Sequence, residues 1–425
     1  TPGMENRKGI ILQGHLDMVP QKNEDKVHDF TKDPIDAYVD GEWVRAKGTT
    51  LGADNGMGVS AGMAVLTATD IPHGPIEVLI TATEETGMDG ANGLKPGVLK
   101  GDILLNLDSE TEGELYVGCA GGLDSTIEFN YKEAAVPADS KAFKLSLKGL
   151  KGGHSGMDIN LGRGNSNKLL FRFLKANAKA LDLRMAAVNG GSLRNAIPRE
   201  SFALVTVPSG NAGQLQAKVA EASAIYKAEL IEKDPDVKLL VEEAELPARV
   251  MDADLQERLI DAIMGCPNGT VRMIDSMPGT VETSNNLAIV KTTEDKIVIN
   301  TLMRSSVETA KDYLADSLQA VFELAKADRI IFDGAYPGWK PNPHSAILKL
   351  MQEIYQKMYH KAPEIMAVHA GLECGILGAK YPNWDMISFG PTICHPHSPD
   401  EKVNIASVGK FWDYLKEVLK EVPVK

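Results

Sequence analysis

Short, largely apolar runs, each followed by acids or a histidine, restrict the fold of this chain more than any other feature. Gly9 to Gly14 (GIILQG) leads into His15-Leu16-Asp17, and Pro75 to Thr81 (PIEVLIT) leads to Glu84-Glu85. Asp102 to Leu107 (DILLNL) leads to Asp108-Ser109-Glu110, and Asp385 to Phe389 (DMISF) precedes His397. A strand apolar on both faces must be covered on both sides, as in a mostly parallel sheet layered with helices. Helical stretches at 59–69, 345–360 and 405–422 lie among these runs. The expectation is an α/β domain with a mostly parallel mixed sheet.

The middle of the chain is patterned differently. Phe143 to Leu147, Phe202 to Val207 and Val237 to Glu242 read as strands, and 289–304 as a hairpin turning near Glu294 and Asp295. Helices are expected at 164–178, 212–233 and 306–325. This is an α+β pattern, which points to an inserted lid or dimerisation domain at 123–328. The catalytic domain is then discontinuous, at 1–122 and 329–425, with no internal repeat.

Charge removes some functions. With 45 basic and 58 acidic residues the formal net charge is −13, which argues against a general affinity for nucleic acid or anionic membrane. The four cysteines, Cys119, Cys266, Cys374 and Cys394, form neither a disulfide framework nor a CxxC module, so a reducing, cytoplasmic setting is expected. No apolar run approaches the length of a membrane span, and no secretory signal opens the chain. Thr1 is not an initiator methionine and a strand begins within ten residues of it, so a trimmed chain is expected.

The placement of the acids and histidines suggests chemistry. In open α/β sheets, ligands bind beyond the carboxyl ends of strands. His15, Glu85 and Asp108 follow three such strands, His397 a fourth, and Asp54 sits in the glycine-rich turn GADNG that enters a helix. Two histidines and three carboxylates suffice for two zinc ions, since zinc takes imidazole nitrogen and carboxylate oxygen. Asp17, two residues beyond His15, is placed to orient the imidazole. Glu84 is placed to take a proton from metal-bound water and pass it to a leaving amine. Alone, each motif has a plain reading: the DN pair as a turn and helix cap, LDSE as a cap, the EE pair as solvated surface. All five at element ends together point to a metal centre. His395 stands two residues from His397 and competes with it by position.

Further residues have two readings. His154, in the glycine-rich turn LKGLKGGHSG, is either an exposed loop residue or a donor to a tetrahedral oxyanion. Asn195 and Arg304 are structural or hold a substrate carboxylate. His369 lines a pocket with Glu373 or packs in its loop.

The motifs LQGHLDMVPQKN, GTTLGADNGMG, TATEETGMDGA, NLDSETEGELYVGCAGG, LKGLKGGHSG, LRNAIPRE, GAYPGW, HAGLECG and GPTICHPHSPDE resemble the aminoacyl-histidine dipeptidases. That family (peptidase D, bacterial carnosinase) lies within the dinuclear-zinc aminopeptidase and aminoacylase superfamily. The resemblance runs from about residue 4 to the C-terminus. It implies two zinc ions per subunit, held by His15, Asp54, Glu85, Asp108 and His397 with Asp54 bridging, and Asp17 and Glu84 as catalytic acids. It implies substrate binding by His154, Asn195 and Arg304, with His154 serving a neighbouring subunit's site. A homodimer through the lid and hydrolysis of Xaa-His dipeptides such as β-alanyl-histidine follow from the same source. Family members carry an N-terminal helical segment before the first motif, which this chain is expected to lack. An N-acyl-amino-acid amidohydrolase would use the same metal centre on another acyl group. A non-catalytic metal-binding protein would have no need of Glu84.

Overall fold

The computed structural model describes residues 1–425. The chain divides into two compact units, Thr1–Cys119 with Pro337–Lys425, and Ala120–Tyr336. The second unit is thus an insertion in the first. The chain re-enters the first unit at Pro337 rather than near 329, because Arg329–Tyr336 is a strand paired with Gly121–Asn130 of the insertion.

A six-stranded sheet organises the first unit. Its order is Glu364–Val368, Glu114–Cys119, Asp385–Ser388, Ile103–Asn106, Ile10–His15 and Ile76–Thr81. All neighbours are parallel except Glu114–Cys119 with Asp385–Ser388. The central strands are the apolar runs, and Ile11, Leu104 and Leu105 are wholly buried, as coverage of both faces requires. PIEVLIT takes the edge, so most of its residues are only partly buried. Helix Ala53–Thr67 packs on the His15 strand with a buried face that includes Gly58, Ala61, Gly62 and Val65. It starts at Ala53 rather than Val59, although Asp54 and Asn55 depart from helical backbone angles. Ser345 and Asn404 accept from the amides of Leu348 and Ser407, capping helices Ala346–Tyr359 and Ile405–Glu421. A small sheet of Ala37–Asp40, Trp43–Ala46, Lys402–Asn404 and Ile393–Cys394 holds both ends of the loop carrying His397.

The second unit is a nine-stranded antiparallel sheet. Its path runs Lys238–Ala244, Ser140–Lys148, Ser201–Pro208, Arg184–Gly190, Val281–Thr292, Lys296–Ser305, Gly121–Asn130 and Arg329–Tyr336, with Gly269–Met273 beside Val281–Thr292. Helices Ser166–Asn177, Ala212–Glu229, Ala253–Gly265 and Glu308–Leu324 share one apolar core with it, around Phe129, Phe143, Phe171 and Phe322. The expected hairpin is present but longer, formed by Val281–Thr292 and Lys296–Ser305. A two-residue ladder sets His154 opposite Ala196, next to Asn195.

Candidate metal centre

The five expected ligands of the first unit converge at the carboxyl ends of its parallel strands. They form two groups that share Asp54. His15 Nε2 is 3.2 Å from Asp54 Oδ1 and 3.1 Å from Asp108 Oδ1. His397 Nε2 is 3.1 Å from Asp54 Oδ2 and 3.0 Å from Glu85 Oε2. Ligand atoms of His15, Asp54 and Glu85 all lie within 4.8 Å of one another. His397, not His395, therefore lies on the carboxylates.

Neighbouring residues fix these side chains. His15 Nδ1 is 2.9 Å from the Asp17 carbonyl, which can only accept, so Nδ1 carries a proton and Nε2 is the nitrogen turned to the carboxylates. The Asp17 carboxylate lies farther from the ring, at 3.7 Å. It accepts instead from the amides of Glu84 (3.1 Å) and Glu85 (3.2 Å), tying the two strand ends together. Asn55 donates to the Leu107 carbonyl at 2.7 Å, which joins the Asp54 turn to the Asp108 strand. Gly14 leaves room for that amide: a Cβ there would stand 2.3 Å from Asn55 Oδ1.

Two groupings go beyond the sequence reading, although Glu373 was already named as a pocket residue. Glu401, 2% exposed, accepts from the amides of Leu51, Gly52, Ala53 and Asp54 at 2.6–3.2 Å. A remote carboxylate thus caps the helix that presents Asp54, at the positive end of its dipole. The signal was the acid closing HSPDE, four residues past His397. A buried polar belt also crosses the sheet beneath the ligands. Glu373 Oε2 accepts from Gln13 and Thr81, both at 2.6 Å, Asn106 donates to Gln13, and Ser388 links Asn106 to Ser109.

The charges do not balance among themselves. Burial alone would lower the His15 pKa, yet the carboxylates of Asp108 and Asp54 outweigh it and push it up to about 12. Hydrogen bonds to Asp54 and Glu85 raise His397 to about 10. Burial, then repulsion from Asp108, raises Glu84 to about 8. Burial, then Asp54 and Asp108, does the same to Glu110, again to about 8. Glu373 rises to about 7, chiefly through burial. Glu85 Oε1 is buried without a hydrogen-bond partner, and Asp108 Oδ1 is near His15 Nε2 without hydrogen-bond alignment. Imidazole nitrogens and carboxylate oxygens in two groups, with buried oxygens to spare, fit divalent cations.

The remaining candidates lie apart from these ligands in the chain. His154 Nδ1 accepts from the amides of Gly156 (3.2 Å) and Met157 (3.1 Å), so the neutral ring carries its proton on Nε2. Burial, then Arg304, lowers its pKa and favours that neutral form. Asn195 is exposed, while Arg304 is 5% exposed. In the first unit His369 is buried. No helix is long and apolar enough to cross a membrane.

Comparison with known proteins places this arrangement. A model of "Peptidase family M20/M25/M40" matches residues 11–421. The cytosol non-specific dipeptidase of Escherichia coli (strain K12) is 51% identical over 425 residues, 100% of this chain and 87% of that protein. The crystal structure of aminoacylhistidine dipeptidase from Vibrio alginolyticus superposes with a TM-score of 0.96 at 53% identity, covering 100% of this chain and 86% of that one. The aminopeptidase PepT of Bacillus cereus ATCC 10987 shares the fold alone, with a TM-score of 0.56 at 16% identity over 99% of this chain and 82% of that one.

Proposed function

Since the chain belongs to peptidase family M20/M25/M40 and is a hydrolase acting on peptide bonds, we propose that it is a zinc-dependent dipeptidase cleaving Xaa-His dipeptides of the carnosine type, β-alanyl-histidine among them. The observation carrying this reading is the pair of ligand groups that meet on the two oxygens of Asp54. The names of the Vibrio and Escherichia coli relatives support the dipeptide class. His15 and Asp108 would hold one zinc ion, His397 and Glu85 the other, with Asp54 shared. Bound zinc polarises the scissile carbonyl and makes water acidic enough to serve as nucleophile near neutral pH.

The chain's own groups supply the rest. Glu84, beside the Glu85 ligand, takes the proton of the attacking water onto its carboxylate and delivers it to the leaving amine nitrogen. Asp17 holds the Glu84 and Glu85 amides through its carboxylate and sets the His15 tautomer through its carbonyl. The Nε2 proton of His154 is directed to the oxyanion of the tetrahedral intermediate. Asn195 and Arg304 receive the substrate's C-terminal carboxylate, and His369 lines its pocket. The active form is a homodimer through the second unit, with His154 serving the neighbouring subunit. The Escherichia coli relative, named for the cytosol, supports a cytoplasmic location.

A substrate panel tests this reading. Purified protein with two zinc equivalents should hydrolyse Xaa-His dipeptides faster than N-acetyl amino acids. The Escherichia coli relative is named non-specific, so other Xaa-Yaa dipeptides belong in the panel. Turnover of acyl amino acids with no dipeptide cleavage would reject the proposal.

A further inference from the structure

Arg304 is 95% removed from solvent, and both of its hydrogen-bond acceptors are neutral hydroxyls. Its Nε donates to Ser155 Oγ at 3.3 Å and its Nη1 to Tyr336 Oη at 3.0 Å. The carboxylate of Asp124 forms its ion pair with Arg194 instead, at 3.5 Å. Asp124 also acts on Arg304 through space, but the direct hydrogen-bond partners of the guanidinium are hydroxyls, so its fork keeps room for a carboxylate.

The sheet explains how the tyrosine gets there. Gly122 is the register partner of Arg304 on one side and of Tyr336 on the other. Three adjacent antiparallel strands thus place arginine, glycine and tyrosine in a row. Tyr336 lies over the position where a side chain of Gly122 would stand. A Cβ on Gly122 would meet Tyr336 Cε1 at 2.4 Å and Oη at 2.7 Å. Only glycine lets the ring lie across the middle strand and bring its hydroxyl to the guanidinium. Ser155, 1% exposed and next to His154, fixes the guanidinium from Nε.

We infer that Gly122, Tyr336 and Ser155 form a cradle that presents Arg304 as a receptor for a free carboxylate, making Tyr336 a positioning residue that sets the preference for dipeptides with an unblocked C-terminus. The inference rests on the assignment of Arg304 to the substrate carboxylate. It adds that arginine alone is insufficient: guanidinium recognition of a carboxylate depends on the planar fork being held in one orientation.

The readout is selectivity: kcat/KM for an Xaa-His dipeptide divided by kcat/KM for the same dipeptide as its C-terminal amide, measured on the zinc-loaded protein. Tyr336→Phe should lower this ratio roughly tenfold, mainly through KM of the free acid, as expected for one charge-assisted hydrogen bond. Ser155→Ala should lower it in the same direction, and Gly122→Ala should mimic Tyr336→Phe by displacing the ring. In an Arg304→Gln background, Tyr336→Phe should change the ratio no further. A role in folding alone would depress both substrates together and leave the ratio unmoved. If Arg304→Gln collapses the ratio while Tyr336→Phe and Ser155→Ala leave it intact, the cradle is refuted and the role of Arg304 stands. If Arg304→Gln itself leaves the ratio intact, the assignment beneath the inference is refuted.

Discussion

The two units carry opposite electrostatic imbalances. In the first, buried acids outnumber the cations among them, and two histidines are pulled up to about 12 and about 10 as their only positive neighbours. In the second, a buried guanidinium has hydroxyls as its hydrogen-bond acceptors, with the Asp124 carboxylate acting on it only through space. Each arrangement buries charge with incomplete direct pairing, which costs desolvation energy. On the function proposed above, the partner differs: divalent cations in one unit, a carboxylate in the other. Uncompensated charge is thus a physical mark of a site built for something outside the chain.

The comparison fails first if the acids do not need metal. Chelation should reduce dipeptide hydrolysis by roughly three orders of magnitude or more, and zinc should restore it with about two equivalents bound. Activity that persists in metal-free protein, checked by elemental analysis, would remove the basis of the first half. Next in size is Glu84→Gln, which should lower kcat by roughly 10³-fold while the zinc content stays unchanged. If the metal is lost along with activity, Glu84 is a ligand rather than the proton carrier.

Glu401→Gln should weaken zinc binding about tenfold and cost about 2 kcal/mol of stability, because four amides lose an ionised acceptor. Metal titration and thermal melts would check it, and a variant matching the parent in both would show that the remote cap is dispensable. The smallest effect is on pH dependence. Glu84 and Glu110 are raised to about 8 and Glu373 to about 7 in the folded chain, so between about pH 5 and 8 the native state keeps protons that the unfolded chain has released. His15, raised to about 12, has the same sign, its contribution fading as pH rises through that value. The Tm of zinc-stripped protein should therefore fall by about 5 °C as pH goes from 5 to 8. Zinc binding improves as ligands deprotonate, so the loaded protein should oppose that trend. Parallel curves for both forms would break the link between surplus acid and metal.

Much of the first unit was legible because its signals are local. A doubly buried parallel strand must be apolar throughout, so DILLNL and DMISF reveal themselves, and the acids after them are at strand ends by definition. The second unit was harder to read. Helix Ala253–Gly265 and the strands Gly121–Asn130 and Arg184–Gly190 were not anticipated, since half-exposed antiparallel strands mix polar with apolar residues. The boundary near 329 moved to Pro337 because strand membership depends on a partner some 200 residues away, beyond any local pattern.

From the sequence alone came the α/β class, an interrupted first unit and the candidate metal ligands, because each depends on short-range patterning. Tertiary structure decided what those residues do to one another. It put the Asp17 carbonyl rather than its carboxylate on His15, chose His397 over His395, and brought Glu401 to a helix 350 residues away in sequence. It also set Gly122 between Arg304 and Tyr336. Hydrogen-bond partners and counter-charges act over a few ångströms in space, and only the folded chain determines which distant residues come that close.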